Sequence, residues 1–580
     1  MKTLTTFPGL NGSWAIDLTL GEGGDGQLMR IDAGSETVLT LSKKDRWLSA
    51  TVHTIWPGET PRFGKDPHLD FTLTSPCAEG PVRICWRGFS VRLYAGGALQ
   101  DEEWPLGEPV QGEWTVQICD AVRDFHCAPV ERPEADAEER YDRPFQNFVL
   151  PGHNTGVGDC MPFNRDGRYC LYYLLDRRGH ASKRGLGAHQ WAQVSSADLR
   201  HWTLHPMAVG ITEQWEGSIC TGSLIQKDGK TYAFYAVRMS DESPARLTWA
   251  VSDDGVHFEK SGRTFALTAP YEPVSARDPM VFRDDSGLYH MLVTTSLVDA
   301  GEYGGCLAHL TSPDLADWTQ HEPFIVPGYA DQPECSDYFE WNGWYYLVFS
   351  NFATARYKMS RKPFGPWLRP DVDTLDALEV QVPKTAPFGE RRFSTGFLAR
   401  RPRTYAGNGV THELFQRADG TLGVKHLEEI LPAARPVACP EKIRIEAGEG
   451  RAQRVLPATC GFRLKALLSP ESRGMLMGLC IAVDGRSYRI EMDPAAKTVS
   501  IIRPGESFSY GCARDQIRDV AFGERFPIDL IVRGDILDMT LCDGRVMTMR
   551  LDSNAEKGAI ASIYAIAGTL SVAGVELQTF

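Results

Sequence analysis

The chain reads as all-β: a five-bladed β-propeller flanked by N-terminal and C-terminal β-sandwich domains. Three observations predict this. Two phrases recur four times in the middle third at a period of roughly 55 to 60 residues, too long for a helical solenoid and suited to a four-stranded blade. Strand-type alternation broken by Gly and Pro turns runs on both sides of the repeats. Helical periodicity is nearly absent.

Residues 1–129 carry alternations such as Gly88-Phe89-Ser90-Val91-Arg92-Leu93-Tyr94, which predict an N-terminal β-sandwich, with Asp101-Glu102-Glu103-Trp104 as an exposed loop. Residues 130–144 are acid-rich and poor in apolar side chains, with Pro133 between Pro129 and Pro144. They predict a solvated linker. The propeller is expected over 145–431. A Pro-marked junction, Pro432 to Pro440, then leads to a C-terminal sandwich over 441–580, whose clearest strands are Pro527–Arg533 and Leu537–Leu541.

Within the propeller, the first repeated phrase is a turn followed by aromatic alternation. It occurs at Asp166-Gly167, Asp228-Gly229, Ser286-Gly287 and Asn342-Gly343, and each copy predicts a β-hairpin. The second phrase is Ser196 to Trp202, Ser252 to Phe258, Ser312 to Trp318 and the weaker Ser360 to Trp367. A divergent fifth blade is expected from Arg391 to His426. Eight or nine residues before three of the turn glycines stand Asp159, Asp278 and Glu334. That count places them near the start of innermost strands, which line a propeller's axis, so three acids distant in sequence are expected to converge on one funnel.

Composition excludes several classes. The net charge of −14 over 580 residues, without basic runs, argues against nucleic acid or anionic membranes as partners. No apolar stretch approaches about 18 residues, and Met1 to Trp14 lacks a signal-peptide pattern, so a cytoplasmic location is expected. The 14 Cys stand singly, as reduced core thiols would, and no Cys and His cluster or acidic calcium loop supports a metal or other cofactor.

Trp191-Ala192-Gln193 to Trp202, Arg277-Asp278-Pro279, Glu334-Cys335 followed by Asp337-Tyr338-Phe339, and His412-Glu413-Leu414 with Asp419-Gly420 together resemble glycoside hydrolase family 32, which contains invertases, inulinases and levanases. The resemblance runs in order from Phe145 to Phe580. It implies that Asp159 is the nucleophile, Asp278 the transition-state stabiliser and Glu334 the general acid/base. A retaining glycosidase needs one ionised and one protonated carboxyl about 5 Å apart. Arg277 is expected to keep Asp278 charged, and Cys335 to give Glu334 an apolar neighbour that keeps its proton on.

The chain departs from the family at Gly156-Val157-Gly158-Asp159-Cys160-Met161-Pro162, where the family writes Trp-Met-Asn-Asp-Pro-Asn-Gly. It departs again at Cys220, where the family has Trp, and at Gln193, where it has His. The reaction type therefore carries over and the sugar stays open. Further sugar-binding candidates are His153 and Asn154 before the nucleophile, Trp191 and Gln193 on the approach to the next blade, and Glu216 and Ser218 at the rim. Their competing readings are loop capping, core packing and solvated loop. His189 and Gln190 are weaker candidates, and Asp337 is read as a structural partner.

The leading expectation is a retaining, exo-acting hydrolase releasing a furanosyl residue, fructosyl first, from a small oligosaccharide or glycoside. Glycosyl transfer on the same site, an inverting arabinofuranosidase or xylosidase, and a non-catalytic carbohydrate-binding propeller are the alternatives. Binding sugar, forming an oligomer interface and walling one side of the funnel are the roles open to the N-terminal sandwich; a structural or homo-oligomerising role is the expectation.

Overall fold

The computed structural model describes residues 1–580 except 11, 57–66, 77–78, 131–137, 151, 242, 401–403, 459, 505–515 and 543. Among the described residues the secondary structure is almost all strand. The one segment assigned as α-helix, Ser182–Gly185, holds Lys183 and Arg184 in left-handed backbone. Among the described residues no helix is long and apolar enough to cross a membrane.

At the N-terminal end, a seven-stranded and a five-stranded antiparallel sheet face each other over one core. Alternation drives this, because every second residue of a strand such as Trp14–Leu20 or Trp47–Ile55 points inward. Each Leu, Ile or Val so buried contributes about 1.5–3 kcal/mol. Trp14 packs edge-on to Trp114, with ring centroids 5.4 Å apart, and lies nearly parallel to Trp86. The expected exposed loop at Asp101-Glu102-Glu103 is instead the end of strand Ala98–Glu103, and all three acids are buried. Partner charges explain the burial: Arg92 meets Glu102, and Arg178 meets both Asp101 and Glu103.

The expected linker is partly a strand. Residues 131–137 lie outside the described residues, but Glu139–Tyr141 pairs antiparallel with Trp202–Leu204 as a sheet edge.

The repeats form four sheets. One has nine strands and divides into two runs: Gly156–Arg165 to Trp202–Leu204, and Val380–Phe388 to Leu422–His426, joined at Val157 and Gly407. The others begin with Glu216–Lys227, Arg277–Arg283 and Glu334–Trp341 and hold four, four and three strands. The last run therefore starts at Val380, earlier than the Arg391 read from sequence. The five leading strands neighbour one another in chain order, and Val380–Phe388 returns to neighbour Gly156–Arg165. Hairpin turns fall where expected: Asp166, Asp228 and Asn342 each take positive φ before a positive-φ glycine. The second phrase closes each outer turn. Ser196 Oγ accepts from the Leu199 amide, while Asp198 accepts from the amides of Arg200 and His201; Ser312 and Asp314 repeat the pattern.

The C-terminal region packs an eight-stranded sheet on a six-stranded one over a large aliphatic core. Phe526–Arg533 and Ile536–Leu541 are adjacent antiparallel strands there, within one residue of the sequence reading. Each cysteine among the described residues is a free thiol.

Candidate active site

Each leading strand breaks register at the same depth: between Val157 and Cys160, Ile219 and Gly222, Arg277 and Met280, Glu334 and Asp337, and Gln381 and Lys384. A bulge re-aims side chains that a regular ladder would bury in the sheet. The unpaired residues include Asp159, Thr221, Asp278, Cys335 and Val382. Asp278, Cys335 and Val382 sit at φ 56°, 50° and 41°, a region costly for a β-branched Val and held only where surroundings fix it.

The bulges frame a cavity of about 430 Å³ whose wall includes Asp159, Asp278, Glu334, Arg277, Thr221 and Tyr405. Asp159 is held by three donors. Tyr405 Oη donates to Oδ1 at 2.9 Å, Thr221 Oγ1 to Oδ2 at 2.5 Å and Cys335 Sγ to Oδ2 at 3.5 Å. Asp278, 2% exposed, accepts from the Cys335 amide at 2.9 Å. Arg277 reaches Glu334 Oε1 with Nη2 at 2.8 Å, and its Nε lies 3.9 Å from Asp278 Oδ2. Gln332 Oε1 accepts from the other arm of the guanidinium at 2.5 Å.

Burial pushes the Glu334 carboxyl above the usual range; Arg277 opposes this, and the charges of Asp278 and Asp159 reinforce it. Burial also raises Asp278 in spite of Arg277. The expected division of labour is thus altered: the guanidinium fork serves Glu334 more closely than Asp278, and the Cys335 thiol faces Asp159 while its amide holds Asp278.

Of the residues expected in the site, Asp159, Asp278, Glu334, Arg277 and Ser218 line the cavity, and Cys335 touches two of its carboxylates. His189, the weaker candidate, lines it too, bonded to Asp176 at 2.9 Å. The remaining candidates are elsewhere. Trp191 is fully buried against Tyr172 and Tyr235, its indole donating to the Cys220 carbonyl. Gln193 donates to the carbonyls of Pro206 and Val256, and Gln190 accepts from the Ile211 amide. Glu216 accepts from the amides of Thr212 and Glu213 and pairs with Lys260. His153 meets Thr74 and Asn154 meets Asp101, both on the N-terminal sheets. Each of these groups finds partners in neighbouring strands or loops, so it satisfies the scaffold. Asp337, as expected, is structural: it accepts from the amide and hydroxyl of Thr385.

Sequence reasoning missed Tyr405, Thr221 and His180. Thr221 stands in the departing Cys220-Thr221-Gly222-Ser223 stretch and had that signal; Tyr405 and His180 lie in loops without a repeat. His180 stacks on Tyr405 at 3.8 Å, and burial lowers it to about 4, leaving a neutral ring at neutral pH. Donor atoms of Asp176, His180 and His189, of Asp159, Asp278 and Cys335, and of His412, His426 and Asp538 lie within 4.8 Å of one another in each group.

The succession of sheets is followed by a sandwich, and three carboxyls from separate leading strands line one cavity. Residues 161–362 match the glycosyl hydrolases family 32 N-terminal domain, beginning two residues after Asp159. Sucrose-6-phosphate hydrolase of Bacillus subtilis (strain 168) is 28% identical over 176 residues, 29% of this chain and 36% of that protein. Raffinose invertase of Escherichia coli is 26% identical over 195 residues, 32% of this chain and 39% of that protein. These matches span little more than a third of the relatives' length. The structure of sucrose-6-phosphate hydrolase from Lactobacillus gasseri superposes with TM-score 0.56 at 17% identity, covering 74% of this chain and 93% of that one. Bombyx mori GH32 beta-fructofuranosidase BmSUC1 gives 0.58 at 18%, covering 76% and 94%. The likeness establishes the fold, a propeller with a sandwich. Over residues 161–362 the chain is therefore similar to glycoside hydrolase family 32.

Proposed function

We propose that the protein is a retaining, exo-acting glycoside hydrolase on a five-bladed propeller over 145–431, releasing a terminal furanosyl residue, fructosyl first, from a small saccharide in the cytoplasm. The observation that carries this reading is the set of three carboxyls on separate bulged strands facing one cavity, each in a different environment.

Asp159 attacks the anomeric carbon. Tyr405, Thr221 and Cys335 fix the orientation of its oxygens, so attack costs little reorganisation. Glu334, whose proton burial retains, protonates the leaving oxygen and then takes a proton from the water that resolves the glycosyl-enzyme. Arg277 turns the released charge on Glu334 into an ion pair. Asp278, held by the Cys335 amide, binds ring hydroxyls as positive charge grows on the sugar. Relatives named invertase and sucrose-6-phosphate hydrolase favour fructose as the sugar. The cavity volume suits one terminal unit and a small aglycone.

The test is sugar release from fructosyl, arabinofuranosyl and xylosyl oligosaccharides, with Asp159→Ala alongside. Fructose release lost in the variant is the expected result. Release of another sugar would move the substrate, and release that survives Asp159→Ala would remove the nucleophile assignment.

A further inference from the structure

The geometry points to the N-terminal sandwich as part of the active site: through Asp101 and Glu103 it clamps the loop 177–189, and that loop, through His180, positions the Tyr405 that holds Asp159. The inference rests on Asp159 being the reacting carboxylate.

The loop is strained. Arg178, His180, Lys183, Arg184 and Ala188 all have φ between 48° and 70°. Non-glycine residues keep such backbone only where their surroundings over-determine it. Two anchors do so. From the propeller, Asp176 accepts from the amides of Gly179 at 2.7 Å and His180 at 3.0 Å. From the N-terminal strand Ala98–Glu103, the Arg178 guanidinium is gripped by Asp101 Oδ2 at 2.5 Å and Glu103 Oε2 at 2.8 Å, and Glu103 Oε1 accepts from the Lys183 amide at 2.7 Å.

Both acids are nearly inaccessible, Asp101 at 0% and Glu103 at 5%, so the clamp is a desolvated ion cluster rather than a surface contact. Its product is the placement of His180, whose ring lies 3.8 Å from that of Tyr405 and 30° from parallel. Tyr405 in turn donates to Asp159 at 2.9 Å. Arg178 and His180 are positioning residues.

The experiment uses the full chain. Hydrogen exchange at backbone amides 404–410 reads the coupling without substrate, and initial rates on the sugar the wild type releases read its effect on chemistry. Arg178→Ala and His180→Ala are expected to speed that exchange at least about fivefold and to lower kcat about 10- to 100-fold, as a displaced reacting group does. His180→Phe, which keeps a ring against Tyr405, is expected to stay within about twofold of wild type in both readouts. If Arg178→Ala does not fold, the His180 pair decides alone. Folded His180→Ala with exchange and kcat within twofold of wild type overturns the inference, as does His180→Phe behaving like His180→Ala. A wild type that releases no sugar removes the proposed function and leaves the exchange test standing.

Discussion

Two groups of ionisable side chains are buried in this chain, and they are matched differently. In the cavity, Glu334 and Asp278 share the Arg277 guanidinium while Asp159 is held by three neutral donors, and burial holds Glu334 and Asp278 above the usual carboxylate range. Where the last propeller strands meet the C-terminal sandwich, His412 lies between Asp538 at 3.0 Å and Asp376 at 3.4 Å, and His426 lies 3.3 Å from both Asp538 and Asp529. For two of its members burial is outweighed by pairing: His412 is pushed up to about 10 and Asp538 is held well below its ordinary value, whereas burial raises Asp376 in spite of His412. Burial alone therefore does not decide what a charged cluster does. A surplus of like charge keeps a proton available for transfer, whereas alternating charge fastens one domain to another.

The sharpest break between the two clusters is Glu334→Gln, expected to lower kcat by about 10²- to 10⁴-fold with the melting temperature nearly unchanged. The basic limb of kcat/KM, which in wild type lies above the ordinary carboxylate range, should vanish with it. Asp538→Ala is the converse, because it leaves two buried imidazoles without their shared partner; a loss of about 3–5 kcal/mol in denaturant unfolding is expected, with kcat of the folded fraction retained. Tyr405→Phe removes one hydrogen bond to a charged group, worth about 1.5–3 kcal/mol, and should appear as a roughly tenfold or greater fall in kcat. Gln193→Ala, a residue the sequence placed at the sugar, should cost about 1–3 kcal/mol of stability and leave kcat unchanged, since its amide serves two backbone carbonyls.

The pH dependence of stability separates the clusters further. His412 binds its proton more tightly folded than unfolded, so its contribution is complete below about pH 6.5 and is lost as pH rises through about 10. Unfolding free energy measured across that interval should fall, and the fall should shrink in His412→Gln.

What could be read in advance was local. Asp166-Gly167 and Asn342-Gly343 carry their turn in their own backbone preferences, and Ser196 with Asp198 closes its turn within five residues. The phase of Asp159, Asp278 and Glu334 against those turns was legible because a hairpin fixes the distance from turn to bulge. Trp191 and Gln193 were misread because an aromatic or amide on an alternating strand looks the same whether it faces a cavity or the neighbouring sheet. Tyr405 and His180 were invisible because their roles come from contacts across hundreds of residues, as from Tyr405 to Asp159. Asp101 to Glu103 looked like a solvated loop because nothing nearby in sequence announces Arg178.

The most direct test is a search for the covalent intermediate. Full-length Glu334→Gln, incubated with a fructosyl donor bearing an activated leaving group, should gain the mass of one hexosyl residue, and digestion should place it on the peptide containing Asp159. Turnover with no adduct, accompanied by release of the inverted anomer, would contradict the account.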